Sequence, residues 1–307
     1  MQTHVNGSHN GKILFLFLTI PLVFFLFGWQ SKALATSYSD VSAFVYQLAS
    51  QYPGKTQVFE LGLSDTGEKI VGLRVGDGAV KNLVVATHHG NEYGSTEVAK
   101  AFAQSVAESP ISGQTVYVIP VLNITGYNNG ERWETIKGHA YDPNRDYPGP
   151  CGTEGPFHLK STAALARFID AEGIVASQTL HTYYPAVVYP WGISTQDLST
   201  PYDDLFKLLV QAATVESHYP VGNSTEVIYP ADGTFEDYAF WKHGIWSLLF
   251  ELGTSHKPTP STIKEMIRIN IPGMRRMLEQ APLARAEKHN FTGKCNSRLF
   301  GLDRHDE

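Results

Sequence analysis

Apolar residues fall at helical spacing at Val41, Phe44, Val45 and Leu48, which predicts a first helix over 37–51. Residues 57–63 and 70–75 alternate apolar with polar and read as strands, joined by the turn residues Asp65-Thr66-Gly67. The short run Leu83-Val84-Val85-Ala86 is uniformly apolar, as a buried strand is. A helix over 95–108 and a buried strand over 115–121 follow. Residues 126–157 are polar and rich in Gly, Pro and Asn, and read as a loop. A loop of that length inside a compact domain points to function. Beyond it the pattern predicts a helix over 160–171, a strand over 174–180 and a helix over 201–216. A strand over 245–250 and an amphipathic helix over 262–278 complete it. Strands alternating with helices indicate an α/β domain, with helices on both faces of a sheet. No repeat or Gly/Ser linker divides the chain, so one domain is expected over 36–307.

The first forty residues break this pattern. Lys12 precedes an apolar run from Ile13 to Trp29, and Ala33-Leu34-Ala35 follows a short polar stretch. A basic start, an apolar core and an A-x-A site make a secretory signal over 1–35. The alternative is a membrane anchor, because the run approaches bilayer-spanning length. The expected location is secreted or periplasmic, with membrane attachment only if the segment stays uncleaved. Two cysteines, Cys151 and Cys295, lie in the remaining chain. An oxidising compartment would permit a disulfide between them; two unrelated buried thiols are the alternative. Asn123-Ile124-Thr125, Asn223-Ser224-Thr225 and Asn290-Phe291-Thr292 fit the glycosylation pattern.

Composition adds exclusions. With 42% hydrophobic and 18% charged residues the chain is globular in type. The net charge of -6 is spread out, with no basic cluster of the kind that binds nucleic acid. A monomer is expected.

Candidate chemistry starts with His89-Gly90-Asn91-Glu92, just past the strand at 83–86. Functional residues of open α/β sheets gather at the carboxyl ends of strands. His and Glu three apart can meet one ion if the chain turns, and Gly90 permits a turn. Alone, the spacing equally describes a surface pair, and His88 competes with His89. His181 follows another strand and supplies a third ligand. Two His and one Glu leave a coordination position open on zinc, as a catalytic site requires. Glu251 ends the apolar run Trp246 to Phe250, where a carboxylate is costly unless paired or functional. It reads as a base beside the metal, or as a helix cap or ion-pair partner.

Five motifs then occur in order: His89-Gly90-Asn91-Glu92, Asp142-Pro143-Asn144-Arg145, Leu180-His181-Thr182-Tyr183, Ile228-Tyr229-Pro230-Ala231 and Phe250-Glu251-Leu252-Gly253. Together they resemble the zinc carboxypeptidases related to carboxypeptidase A, across nearly the whole chain after the leader. The resemblance implies an open, mixed, largely eight-stranded sheet flanked by helices. It implies one Zn2+ per chain on His89, Glu92 and His181, with Glu251 as general base on zinc-bound water. Asn144 and Arg145 would grip the carboxylate of a peptide with a free C-terminus, and Tyr229 would close over the last residue. Asp142 would hold the free ring nitrogen of a zinc-binding His.

The family carries a further Arg for the tetrahedral oxyanion; here only Arg132 lies between Asn123 and Arg145, in an unusual register against Trp133. The stretch from Glu92 to His181 is shorter than in the pancreatic enzymes. No pro-domain is expected, because the first motif follows the leader closely. Counted from Tyr229, Glu236 occupies the family's side-chain pocket position and would favour C-terminal Lys or Arg, although Asp237 is adjacent. The reading is a metallocarboxypeptidase acting on peptides and proteins. Its rivals are a zinc amidase acting on cell-wall peptides or another small amide, and a zinc-stabilised binding protein.

Overall fold

The computed structural model describes residues 37–152, 156–193 and 199–287, together with Phe291 and Cys295. The expected leader, Asn290 and Thr292 lie outside the described residues. In chain order the first half comprises α1 (Tyr38–Gln51), β1 (Thr56–Leu63), β2 (Lys69–Val75), β3 (Val80–Ala86), α2 (Tyr93–Glu108) and β4 (Gln114–Ile119). The next stretch holds α3 (Ile124–Asn129), β5 (Glu134–Ile136), β6 (His139–Tyr141) and a 3-10 turn at Pro143–Arg145. Then come α4 (Lys160–Ala171), β7 (Ala176–His181), β8 (Ala186–Tyr189), α5 (Asp203–Ala213) and β9 (Val221–Asn223). Last are α6 (Ser224–Val227), α7 (Phe235–His243), β10 (Trp246–Glu251) and α8 (Pro260–Gln280).

Eight strands form one sheet in the order β1-β2-β4-β3-β7-β10-β8-β9. Strands β4, β3, β7 and β10 run parallel to one another, as do β8 and β9, whereas β1 with β2, β2 with β4, and β10 with β8 are antiparallel. The sheet is therefore open and mixed, as the resemblance implied. Central strands are covered and carry long buried runs: all six residues of β4 and all six of β7 are buried. Helices α2, α5 and α8 pack together, while α4 and α7 lie against β1 and β10. Buried polar ties fix the layers; Gln178 on β7 donates to the carbonyl of Met274 on α8 at 2.8 Å.

Local sequence sets the ends of these helices. Ser37 caps α1 and Thr259 caps α8, whose first position is Pro260, where a missing N–H costs nothing. Gly244 closes α7 in the left-handed conformation.

The segment 126–157 is more structured than its composition suggests. It contains most of α3, the β5–β6 hairpin and the 3-10 turn, each too short to show a period. Helix α7 is absent from the sequence pattern because six consecutive residues, Phe235 to Phe240, are all buried. A helix buried all round has no amphipathic stripe to read. Asn123 fits the glycosylation pattern but is fully buried; its side chain accepts from the Gly126 N–H and donates to the carbonyls of His88 and Arg132. Asn223 is 8% exposed and caps α6 through Glu226. Neither side chain is presented as a glycan acceptor. Cys151 and Cys295 are joined by a disulfide. No described helix is long and apolar enough to cross a membrane.

Candidate active site and metal centre

The carboxyl ends of three adjacent parallel strands supply the chemistry. His88 and His89 lie just past β3, His181 is the last residue of β7, and Glu251 is the last of β10. His181 and Glu251 are direct register partners. The chain after His89 turns tightly against the α3 region: a Cβ on Gly90 would stand 2.0 Å from the carbonyl carbon of Gly126. Only glycine fits that approach, and the turn brings Glu92 back to His89 at the start of α2.

His89 Nδ1 lies 2.8 Å from Glu92 Oε1, and His181 Nδ1 lies 3.2 Å from His89 Nδ1 and 3.1 Å from Glu92 Oε2. These residues are 4%, 1% and 1% exposed, which excludes a solvated surface pair. Among the described residues they form a cluster with donor atoms all within 4.8 Å of one another. Tetrahedral zinc with bonds of about 2.0–2.1 Å would set its ligand atoms roughly 3.3 Å apart. The two ring nitrogens already face each other near that spacing, and the donor set is one zinc favours, so the residues fit the metal. The outer contacts suit it as well. Asp142 Oδ1 sits 3.0 Å from His89 Nε2, leaving Nδ1 to turn a lone pair inward. The Thr182 N–H braces Glu92 Oε2 at 3.0 Å.

Electrostatics follow from this crowding. Burial opposes ionisation of Glu92, but His89 and His181 outweigh it and hold the carboxyl well below its usual range. Asp142 is likewise depressed, with His89 and Arg132 overcoming burial. Glu251 differs: burial first, then the nearby charge of Glu92, push its carboxyl well above the usual range. A carboxyl raised in this way is suited to hold and release a proton.

His89, His181 and Glu251 share a cleft with Asn144, Arg145, Tyr229 and Glu236. Arg145 Nη2 donates to the Tyr229 hydroxyl at 3.3 Å, and Nη1 donates to the Asn144 carbonyl at 2.7 Å. Asn144 Oδ1 accepts from the Phe235 N–H, tying the loop to α7. Tyr229 is 49% exposed at the rim. Ile228 and Leu249 provide apolar wall. Glu236 Oε2 and Glu251 Oε2 are buried with no hydrogen-bond partner among the described residues. Asp237 turns away, both its oxygens accepting from the Gly192 N–H. Of the two adjacent acids, Glu236 is therefore the one that lines the cleft.

His88 packs outside the cluster, its Nε2 pairing with the Tyr147 hydroxyl at 3.1 Å. Arg132, the arginine considered for the oxyanion, forks onto Asp142: Nε and Nη2 both donate to Oδ2, at 3.1 and 2.8 Å. Sequence reasoning did not find this fork, the Thr182 brace, or Ser224 and Thr234 in the cleft wall; none of these has a local signature.

The model of the family described as zinc carboxypeptidase matches residues 41–273. Carboxypeptidase B of Astacus astacus is 25% identical over 250 residues, spanning 68% of this chain and 82% of that protein. Human carboxypeptidase B is 25% identical over 275 residues, spanning 73% of this chain and 66% of that protein. Among solved structures, bovine thrombin-activatable fibrinolysis inhibitor, in complex with a tick carboxypeptidase inhibitor, superposes with a TM-score of 0.72 at 18% identity, covering 78% of this chain and 95% of that one. Carboxypeptidase A from Helicoverpa armigera gives 0.72 at 18% identity, covering 82% and 75%. With the motifs in one cleft and the family match over most of the described chain, the protein belongs to the zinc carboxypeptidase family and is a metal-dependent hydrolase by class.

Proposed function

We propose that this protein is a zinc carboxypeptidase that removes the last residue from peptides with a free C-terminus, preferring Lys or Arg. The observation that carries the reading is the shared cleft: a ligand cluster, an unpaired carboxyl and an arginine open onto one space. His89, Glu92 and His181 would hold one Zn2+ per chain, which supplies a Lewis acid that polarises a carbonyl and acidifies water.

The protein's own groups do the rest. Arg145 pairs with the substrate's terminal carboxylate, a task suited to a guanidinium fork. Tyr229, already hydrogen-bonded to Arg145, covers the bound residue from the rim. Glu251 Oε2 takes a proton from the water that adds to the scissile carbonyl carbon, and delivers it to the amine as the C–N bond breaks. Asp142 orients His89, and Arg132 orients Asp142. The apolar wall of Ile228 and Leu249 accepts an alkyl stem, and Glu236 Oε2 meets the positive head beyond it.

The deciding experiment compares one peptide as free acid and as C-terminal amide. Without Arg145 the substrate carboxylate would be desolvated and unpaired, a loss of roughly 3–5 kcal/mol. Arg145→Ala should cut kcat/KM on the free acid about a hundred- to several-thousand-fold, keep its zinc, and lose most of the discrimination against the amide. Equal cleavage of acid and amide by the wild type would instead identify an amidase indifferent to the terminus.

A further inference from the structure

A second pocket, of about 450 Å3, opens beside the metal-site residues, with Asn91, Tyr183, Ser255, His256 and Lys257 in its wall. It shares no lining residue with the cleft that holds Arg145 and Glu236. Its wall is built from chain neighbours of the chemical groups. Asn91 precedes Glu92, Tyr183 lies two residues past His181, and the segment 252–257 leaves directly from Glu251. These pieces are tied together. Thr182, whose N–H braces Glu92, pairs through Oγ1 with His256 Nδ1 at 3.3 Å. The Tyr183 and His256 rings meet edge to face at 4.9 Å, and the His256 carbonyl accepts from the Gly94 N–H.

A peptide with its carboxylate on Arg145 and its last side chain toward Glu236 presents its final peptide bond to the ligand cluster. Its upstream residues must leave past that cluster, at about 3.3–3.6 Å per extended residue. Asn91, Tyr183 and residues 254–257 of its wall lie one to six residues along the chain from Glu92, His181 and Glu251, so the pocket adjoins that exit. Its charge is one-sided. Lys257 is exposed and makes no ion pair within the described residues, its ammonium resting 5.2 Å from the centre of the Tyr93 ring. Among the described residues no carboxylate lines the pocket.

We propose that Lys257 makes this pocket a subsite for an acidic side chain upstream of the scissile bond, an inference that rests on the carboxypeptidase reading above. The enzyme then reads opposite charges at two places: a basic final residue against Glu236 and an acidic earlier one against Lys257. The second contact is exposed, so its effect is modest and falls with salt.

The test uses zinc-loaded enzyme and peptides that all end in Lys, with Glu, Gln or Lys placed singly at each of several upstream positions. At one position kcat/KM should rank Glu over Gln over Lys, with a Glu-to-Gln ratio of roughly two to five at low ionic strength, shrinking at high salt. Lys257→Met should bring that ratio to about one, and Lys257→Arg should retain it. Because the ratio compares two substrates of the same preparation, partial misfolding of a variant does not change it. A wild type that cleaves the Gln peptides but shows no charge ranking at any position overturns this inference alone, as does a ratio that survives in Lys257→Met. If none of the peptides is cleaved, the carboxypeptidase reading fails and this inference falls with it.

Discussion

Glu251 and His181 are register partners on neighbouring strands, yet their removal should have different consequences. His181→Ala takes away one of three protein ligands. Zinc affinity should fall by more than the ~10- to 100-fold typical of changes to groups behind the ligands, measured by competition with a chelator. Glu251→Gln keeps the ligands and the shape of the cleft. It should bind zinc normally while kcat drops about 10^2- to 10^4-fold, the usual contribution of a positioned acid–base group. Normal turnover in Glu251→Gln would move the base elsewhere. At Glu236, replacement by Ile removes the unpaired carboxylate between apolar walls. Wild type should cut Lys- and Arg-ending peptides faster than Leu- and Phe-ending ones, and Glu236→Ile should reverse the order. Most of this site was legible in the sequence because its residues sit in compact motifs. The count from Tyr229 pointed to Glu236 rather than Asp237, and the structure adds the direction of each side chain, Glu236 into the cleft and Asp237 onto the Gly192 N–H. Arg132 was legible as a functional arginine, but its fork on Asp142 joins residues ten apart across a hairpin that the sequence did not reveal.

That hairpin is the least legible element and it positions two site residues, with Arg132 just before β5 and Asp142 just after β6. It is anchored by Glu134, fully buried, whose Oε2 accepts from the Ser161 hydroxyl on α4 at 2.9 Å. Burial pushes the Glu134 carboxyl from 4.5 up to about 7, although Ser161 opposes the rise. A carboxyl raised on folding holds its proton more tightly in the native state than in the unfolded chain. Its contribution is therefore most favourable below pH 4.5 and is lost as pH rises toward 7. The loss is on the order of 3 kcal/mol by the usual conversion of pKa shifts. Glu134→Gln cannot ionise, so urea unfolding at pH 5 and pH 8 should show a much smaller difference than in wild type. An unchanged difference would mean that other groups carry the pH dependence. The longer elements were legible because each shows a clear period or an unbroken apolar run. Strands β8 and β9, like the hairpin, are defined by their partners in the sheet rather than by their own residues.

At the level of the whole molecule, the disulfide between Cys151 and Cys295 ties the loop that follows Arg145 to the far end of the described chain. Such bonds persist in oxidising compartments, which supports the proposal that residues 1–35 direct export. Secreted protein should then begin at Thr36 by N-terminal sequencing, and recovery of the intact apolar run in washed membranes would favour an anchor. The α/β architecture followed from the alternation of elements and the mixed sheet from the resemblance, whereas the disulfide did not follow, because sequence spacing gives no separation in space.

The ladder between β7 and β10 has one more consequence. Trp246 to Glu251 pair residue for residue with Ala176 to His181 in the middle of the sheet, and β3 flanks β7 on the other side. His181 and Glu251, the ligand and proton carrier proposed above, thus face each other on one rung of the same hydrogen-bonded frame. They stand on the last rung, but both strands are interior to the sheet, so separating them fully means opening its centre, the last part of a domain to exchange its amide hydrogens. Arg145 and Tyr229 sit outside that frame and are free to open at far lower cost. The molecule should therefore loosen its grip on substrate long before it disassembles its chemistry, so that mild heating raises KM first while kcat persists until the fold itself melts.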